Sequence, residues 1–222
     1  MGCVTTMKIT DKKELVKLLS FLAMGDGSVH KNGGTKNNVF SMSMTEEHED
    51  MMLWVKGVVE NITSCNLSLY KREAPRKNIY KLQSLSHPFF NDLRDRIYVD
   101  TYKSIDIHAL KLIDWQCLAI LYMCDGCLGK CVKPSGVVSY TTTLNLCRLS
   151  YGDMLLLKKT LKDVFDLEWN IVRTNSKYWT LRLRMKDFDK FMQGISPFVF
   201  DSFKYKLDFR TISPSNEGGD IV

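Results

Sequence analysis

The chain of 222 residues lacks any apolar run of the roughly 18–20 residues that a membrane-spanning helix needs. Its first ten residues, MGCVTTMKIT, also lack the apolar core of a secretory signal. We therefore expect an intracellular protein with no membrane partner, in which the seven cysteines stay reduced. The start fits the short N-myristoylation pattern through Gly2, with Cys3 placed for a second acyl chain. Because Met7 is an alternative start and the pattern is short, we favour an unmodified terminus.

A standard zinc-binding spacing is missing too. Four cysteines fall close together, but their spacing does not match a pair of zinc knuckles; they are Cys124, Cys127, Cys131 and Cys147. We interpret these four cysteines as incidental or buried thiols.

Charge is only mildly unbalanced, since 31 Lys and Arg against 25 Asp and Glu give a net charge of +6. That excess is compatible with an anionic partner without requiring one.

What the sequence does contain is a repeat. The phrase LSFLAMGDG at 19–27 returns as LAILYMCDG at 118–126, which separates Asp26 from Asp125 by 99 residues. Each phrase ends an apolar helix. Both halves then have the same predicted order of elements, counted from this helix: helix, two strands, helix, two strands, helix. The repeat predicts an α+β fold of two pseudo-symmetric αββαββα halves, 1–108 and 109–222, each with a four-stranded antiparallel sheet.

Local signals place the elements. Asp11 with Glu14 predicts the cap of the first helix, Thr45 that of the second, and Ser150 with Asp153 that of the matching helix in the second half. Loops are expected directly after each DG pair. Alternation of apolar and polar residues predicts strands over 39–44 and 137–149, and hairpins over 66–85 and 168–185.

The strands carry basic and polar side chains on the face away from the core. In YWTLRLRM, Trp179, Leu181, Leu183 and Met185 point to the core. Arg and Gln can read base edges, while Lys and Arg bind phosphates. Because such residues recur in both halves, we expect the sheets to bind nucleic acid. The candidate DNA-binding residues are Ser41, Ser43, Lys71, Arg72, Arg76, Lys77, Lys81, Gln83, Arg173, Asn175, Lys177, Tyr178, Thr180, Arg182 and Arg184.

The two DG aspartates are candidates for catalysis. If the two motif helices pack side by side, Asp26 and Asp125 meet, and their mutual repulsion favours a cation between them. Mg²⁺ or Mn²⁺ prefers such oxygen ligands and would activate water on a bound phosphate. Lys103 and Lys206 follow a tyrosine at matching places and would orient that water or neutralise charge, with Lys204 as an alternative to Lys206.

These residues resemble the motif that names the LAGLIDADG homing endonucleases. The second phrase keeps Leu118, Ala119, Leu121, Asp125 and Gly126, and the first keeps Leu19, Leu22, Asp26 and Gly27. The resemblance implies a monomer that forms a saddle over DNA, with its halves joined at the two motif helices. It further implies that Asp26 and Asp125 bind the metal, with the backbone carbonyls of Gly25 and Cys124 as further ligands, and that Lys103 and Lys206 are catalytic.

The implied activity is that of an intron-encoded hydrolase. Such an enzyme cuts both strands of a long double-stranded DNA target and leaves 3′ overhangs. Two alternatives share the fold: a group I intron maturase, whose partner is the host intron RNA, and a DNA-binding protein that does not cut. Retention of both aspartates favours cutting.

The chain departs from the motif at two positions in each copy. The third position, usually Gly, holds Phe21 and Ile120, and the sixth, often Asp, holds Met24 and Met123. These larger side chains are expected to push the helices apart unless small neighbours such as Ser20 and Ala119 compensate.

Overall fold

The computed structural model describes residues 7–72, 78–132, 135–136, 138–174 and 178–207. The terminal acylation pattern, the side chain of Cys131 and four of the candidate DNA-binding residues lie outside the described residues; those four are Arg76, Lys77, Asn175 and Lys177. Within the described ranges, no helix combines the length and the apolar character that crossing a bilayer demands.

The first half contains three helices and a four-stranded sheet. Its elements are α1 (Lys12–Met24), β1 (Gly27–Lys31), β2 (Asn38–Thr45), α2 (Glu49–Thr63), β3 (Leu67–Arg72), β4 (Ile79–Ser84) and α3 (Phe89–Ile97). The strands pair antiparallel in the order β1-β2-β4-β3. All three helices pack on the same face of this sheet, which carries Val29, Phe40, Met42 and Leu82.

The second half repeats this arrangement. Its elements are α5 (Trp115–Asp125), β7 (Gly126–Val132), β8 (Val138–Leu144), α6 (Tyr151–Phe165), β9 (Trp169–Thr174), β10 (Tyr178–Leu183) and α7 (Phe188–Ile195). The sheet order β7-β8-β10-β9 matches that of the first sheet. The predicted α+β class and the two αββαββα halves with antiparallel sheets are therefore confirmed.

A short connecting region joins the halves. It contains a two-stranded ribbon of β5 (Tyr98–Val99) and β6 (Tyr102–Lys103), followed by α4 (Ile107–Leu110). Sequence periodicity did not predict the ribbon, because two residues are too few to show alternation. The predicted division at 108/109 falls within α4.

Two of the three predicted helix caps are present. The Asp11 carboxylate accepts a hydrogen bond from the Glu14 backbone N–H at 2.9 Å. Ser150 and Asp153 form a reciprocal capping box on α6. The prediction for Thr45 is wrong: it is the last residue of β2, and a 3-10 helix, Glu46–His48, precedes α2 without a side-chain cap from Thr45.

The segments directly after the two DG pairs were predicted as loops, and this is wrong. Gly27 and Gly126 each begin a strand, so β1 and β7 leave the ends of the motif helices at once. An added Cβ at Gly27 would lie 2.9 Å from the Leu22 carbonyl oxygen. Glycine thus permits the sharp reversal from helix to strand.

The motif helices α1 and α5 pack against each other in the centre of the molecule. Their side chains are almost completely buried from Leu18 to Met24 in α1 and from Cys117 to Met123 in α5. Burial on every side explains why neither of these segments shows a narrow apolar stripe.

The closest approach of the two helices occurs at Gly25. A Cβ at this position would lie only 2.5 Å from the Cβ of Cys124. The large residues Phe21 and Ile120 are fully buried, and the helix ends nevertheless stay in contact. The expected separation is therefore not seen at these ends.

Two polar contacts lie farther along α1. Lys17 on α1 pairs with Asp114, the cap of α5, at 2.7 Å, and with Glu14 at 2.8 Å. The Ser20 hydroxyl donates to Asp106 at 2.9 Å, and Asp106 also accepts from two backbone N–H groups of α4. Because Lys17, Ser20 and Asp106 are buried and partnered, they fix the relative positions of α1, α4 and α5.

We expect Gly25→Ala to destabilise the protein by about 1–3 kcal/mol, since the new methyl group overpacks the contact with Cys124. Urea unfolding monitored by circular dichroism measures this change. Gly57→Ala in α2 is the matched control: nothing lies within 4 Å of an added Cβ there, so removing a helical glycine should stabilise by up to about 1 kcal/mol. Equal effects of the two substitutions would contradict the packing argument.

Candidate active site

The two DG aspartates lie at one cavity beneath the ends of α1 and α5. The cavity has a volume of about 340 Å³ and is lined by Met24, Gly25, Asp26, Gly27, Ser28, Lys103, Asp125, Asn145, Cys147 and Arg148. An added Cβ on Gly25 would be 3.2 Å from a carboxylate oxygen of Asp125, so the second carboxylate reaches across the interface to the first helix. The structure thus brings Asp26 and Asp125 together as the motif spacing predicted.

Burial and mutual repulsion disfavour ionisation of both carboxylates. Burial, followed by the charge of Asp26, raises the pKa of Asp125 to about 6, although Lys103, Lys206 and Arg148 oppose the rise. Burial also raises the pKa of Asp26, against the opposing charges of Lys206 and Lys103 and a hydrogen bond from the Cys124 thiol. A cation placed at this point would relieve both costs.

The charges of both candidate lysines act on both carboxylates. The Lys103 ammonium group is buried and donates to the carbonyls of Gly25 and Gly27, each at 2.8 Å. Lys206 donates to the Met123 carbonyl at 2.7 Å. Burial lowers the pKa of both lysines, in part offset by the aspartates. The alternative, Lys204, is exposed and pairs with Asp201 at 2.6 Å, so the structure brings Lys206 and not Lys204 to the aspartates.

Tyr122, directly before the aspartate turn, positions Lys206. Its buried hydroxyl donates to the Lys206 carbonyl at 2.8 Å, and its ring packs edge-on against Phe191. A Cβ on Gly126 would lie 2.1 Å from the Tyr122 ring. The Tyr122 ring therefore fills the space that Gly126 leaves, and its hydroxyl holds the backbone of Lys206 against α5.

The donor set fits a hard divalent ion. Asp26 and Asp125 offer carboxylate oxygens, and in the part of the chain that the structure describes no cluster of three or more His, Cys, Asp or Glu side chains is arranged to hold a metal. Two carboxylates leave the remaining positions to carbonyls, water or phosphate oxygens, which suits Mg²⁺. The Gly25 carbonyl, a predicted ligand, already accepts a hydrogen bond from Lys103.

Sequence reasoning missed Arg148 and Asn145. Both line the cavity, and the charge of Arg148 acts on Asp125 and Lys103. Gly27 pairs with Met42 and Gly126 with Leu144, so equivalent residues of β2 and β8 are 102 residues apart. That offset makes Glu46 the equivalent of Arg148, and Glu46 instead pairs with Lys71 at 2.8 Å. The site is therefore asymmetric, which only this strand register reveals.

The cysteines near the site are free thiols where the structure describes them. Cys124 is directed at Asp26, whereas Cys127 and Cys147 are exposed. Burial, followed by the charge of Asp26, raises the pKa of Cys124 well above its usual range. This thiol therefore stays protonated and can donate to the carboxylate.

The polar face of the first sheet contains only part of the predicted set. The strand register places Ser43 opposite Lys81, and Ser41 opposite Gln83. Arg72 lies on this face of β3, whereas Lys71, its neighbour, points to the helix-covered face and reaches Glu46 at its edge. Ser41 is only 5% exposed and shares a 3.0 Å hydrogen bond with Ser28. The structure thus does not bring Lys71 to the polar face or expose Ser41 on it.

Tyr70 also lies on this face, although it was not among the predicted residues. It lies opposite Lys81, whose ammonium group is 5.9 Å from the ring centre, and its hydroxyl donates to Gln83 at 3.3 Å. Alternation with Leu67 and Leu69 is enough to put Tyr70 on the side away from the core.

In the second sheet Tyr178, Thr180 and Arg182 lie on the predicted side of β10, but the predicted set as a whole is only partly exposed there. Arg182 is exposed and lies opposite Asn170, a further polar residue that was missed. Thr180 is on this side but only 2% exposed. Arg173 is opposite Trp179, with its guanidinium 5.5 Å from the indole centre, so it is on the helix-covered face.

At the ends of the second hairpin only part of the prediction holds. Tyr178, on the predicted polar side, pairs with Thr174 and is 38% exposed. Arg184 follows β10 and pairs with Glu168 at 2.5 Å. Met185, predicted to point to the core, is 52% exposed because the strand has ended and a 3-10 helix begins there.

The fold and the paired motif helices define a known class of protein. The sequence profile of the LAGLIDADG DNA endonuclease family matches residues 21–191. The chain belongs to this family, which confirms the resemblance drawn from the two motifs.

The individual relatives share only a low sequence identity with this chain. Cytochrome b mRNA maturase bI2 of Debaryomyces hansenii is 23% identical over 206 residues, which cover 88% of this chain and 74% of that protein. The homing endonuclease I-WcaI, solved bound to its DNA recognition sequence, has the same fold with a TM-score of 0.71 and 19% identity, over 90% of this chain and 89% of that one.

A second structure of the same fold contains a metal. I-DmoI in complex with DNA and Ca matches with a TM-score of 0.52 and 12% identity, over 84% of this chain and 91% of that chain. Other I-DmoI structures were obtained in the presence of Mn or Mg.

We expect the metal-free protein to lose stability as pH rises through about 6. The raised pKa of Asp125 means that its contribution is fully present below the unfolded value near 3.9 and is lost as the carboxyl ionises. The loss between pH 5 and pH 8 is on the order of 1–2 kcal/mol, because part of the full effect has already occurred below pH 5. Asp125→Asn cannot ionise and should remove this loss.

Urea unfolding in EDTA at pH 5 and pH 8 tests this expectation. Asp163→Asn, an exposed carboxylate on α6, is the matched control and should leave the wild-type pH dependence in place. A variant Asp125→Asn with the same loss between pH 5 and pH 8 as wild type would refute the assignment.

Proposed function

We propose that the protein is a site-specific homing endonuclease. It hydrolyses phosphodiester bonds on both strands of a long double-stranded DNA target with Mg²⁺ or Mn²⁺ and leaves 3′ overhangs. The observation that carries the proposal is the pair Asp26 and Asp125, which line one cavity with Lys103 and lie within reach of the charge of Lys206. A protein that only binds DNA gains nothing from two buried, mutually repelling carboxylates, whose desolvation costs stability.

Each group at the cavity has a role that its position supports. Asp26 and Asp125 would hold the divalent ion, which when bound polarises a phosphate and lowers the pKa of water. Lys103 and Lys206, held in place by backbone carbonyls, provide positive charge on each side of the site. Arg148 adds a third cation on the Asp125 side only. Charge that is already in position stabilises a phosphoryl transition state without reorganisation.

The polar sheet faces are proposed to hold the DNA. Ser43, Arg72, Lys81 and Gln83 in the first sheet, with Tyr178 and Arg182 in the second, offer both phosphate and base-edge contacts. The two halves, 1–108 and 109–222, would each bind half of the target. Since one chain supplies both halves, we propose a monomer.

A maturase is the second candidate function. Its support is the similarity to a cytochrome b mRNA maturase over 88% of this chain. The two functions are compatible in one molecule if RNA binds a surface other than the polar sheet faces.

Asp26→Asn or Asp125→Asn should lower the rate of DNA cleavage by about a thousandfold or more, because each removes a ligand charge worth several kcal/mol in the transition state. DNA binding should change little. Cleavage of the intronless allele of the host gene with Mg²⁺ measures the rate, and gel shifts in Ca²⁺ measure binding. Binding without cleavage by the wild-type protein would reject the endonuclease proposal.

Lys206→Met should slow cleavage by about a hundredfold, within the range for loss of a positioned acid, base or charge. Lys204→Met is the matched control, because Lys204 is two residues away, exposed and paired with Asp201. Its cleavage rate should stay within about twofold of wild type. If the two variants exchange these results, the role assigned to Lys206 belongs to Lys204.

A further inference from the structure

A second basic surface lies at the opposite end of the motif helix from the aspartates. A cavity of about 540 Å³ is lined by Lys12, Lys13, Val16, Lys17, Arg96, His108, Ala109, Lys111 and Leu112. These residues come from α1, from the end of α3 and from the α4 region. We define the basic rim as Lys12, Lys13, Arg96 and Lys111.

The four cations of the basic rim are available for a ligand. All four are exposed, and none of their side chains makes a hydrogen bond or ion pair with another residue in the described parts of the chain. Two acidic residues close by, Glu14 and Asp114, both pair with the buried Lys17. Four like charges around one cavity repel one another, so an anionic ligand would stabilise the arrangement.

The rim is held in a fixed geometry. Asp106 caps α4 and accepts a hydrogen bond from Ser20 on α1, so that Lys111 is fixed relative to Lys12 and Lys13. Arg96 lies on α3, which packs against α1. The floor between these cations is apolar, formed by Val16, Ala109 and Leu112. Fixed backbone positions keep the four charged side chains around one cavity, which lowers the entropy lost when the rim binds phosphates.

The position of the rim separates it from the proposed DNA surface. α1 has 13 residues, which at 1.5 Å per residue places its start about 20 Å from its aspartate end. The helices α1 and α3 cover the apolar face of the first sheet, whereas the proposed DNA contacts lie on its other face. A duplex seated on the polar sheet faces would leave the basic rim uncovered.

We propose that the basic rim is a binding site for the phosphate backbone of RNA. This proposal rests on the maturase candidate function, which is supported by the similarity to a protein named as an mRNA maturase. It assigns RNA binding to a surface distinct from the proposed DNA site. Duplex RNA is recognised largely by shape and through phosphate and 2′-hydroxyl contacts, which suits four spaced cations without a base-reading groove.

The test compares two quadruple variants of the full chain. The first replaces Lys12, Lys13, Arg96 and Lys111 with Gln. The matched control replaces Lys158, Lys159, Lys186 and Lys190 with Gln and so removes the same charge from the second half. Fluorescence anisotropy with a 24-base-pair RNA duplex and with a DNA duplex of equal length gives both affinities over a range of salt.

Loss of the basic rim should weaken RNA binding at least ~10-fold at 100 mM salt and reduce the salt dependence by up to about four counterions. Affinity for DNA and the rate of DNA cleavage should stay within about twofold of wild type, and the control variant should change RNA affinity by less than about threefold. A saturating DNA duplex should leave RNA binding intact.

Several results would overturn the proposal. These are unchanged RNA affinity in the rim variant, absence of RNA binding by the wild type, or displacement of RNA by the DNA duplex. Polyglutamate serves as a further probe in the same assay. If the rim variant loses affinity for polyglutamate but keeps its affinity for RNA, the partner is an acidic protein and not RNA. If the quadruple variant does not fold, Arg96→Gln and Lys111→Gln alone should each weaken RNA binding two- to threefold. Failure of DNA cleavage by the wild type would reject the endonuclease proposal only.

Discussion

The close contact of α1 with α5 at Gly25 and Cys124 is the constraint on which the rest of the molecule depends. Because no Cβ fits at Gly25, the two helix ends meet and their following aspartates face one cavity. The same contact removes water from both carboxylates, which raises their pKa values. One packing interaction thus sets both the geometry and the electrostatics of the site.

The unfavourable burial of the two carboxylates is offset by positive charges next to them. Lys103 and Lys206 are buried beside the carboxylates and are themselves satisfied by carbonyls at the helix ends. These carbonyls carry the negative end of each helix dipole, which favours a nearby cation. Farther along α1, Lys17 and Asp114 fix the angle between the helices. The active-site end and the basic rim are therefore opposite ends of one rigid unit.

Much of this could be predicted from the sequence. The DG repeat located Asp26 and Asp125, the capping pattern located the starts of α1 and α6, and alternation located both hairpins. These features depend on neighbours within about four residues or on a period of two. For Lys71 and Arg173 two sequence signals disagree, because alternation from Leu69 and Ile171 indicates the core side whereas a positive charge at a strand end indicates the polar side. The strand register assigned both of them to the helix-covered face.

The sequence by itself determined the two-fold plan, the element order and the candidate aspartates, since each follows from local periodicity repeated at a fixed distance. The tertiary structure decided which lysine accompanies them, because Lys204 and Lys206 differ only in the side of a 3-10 helix that they occupy. It also brought Arg148 to the site and gathered Lys12, Arg96 and Lys111 around one cavity. Residues that distant in the chain become neighbours only through packing.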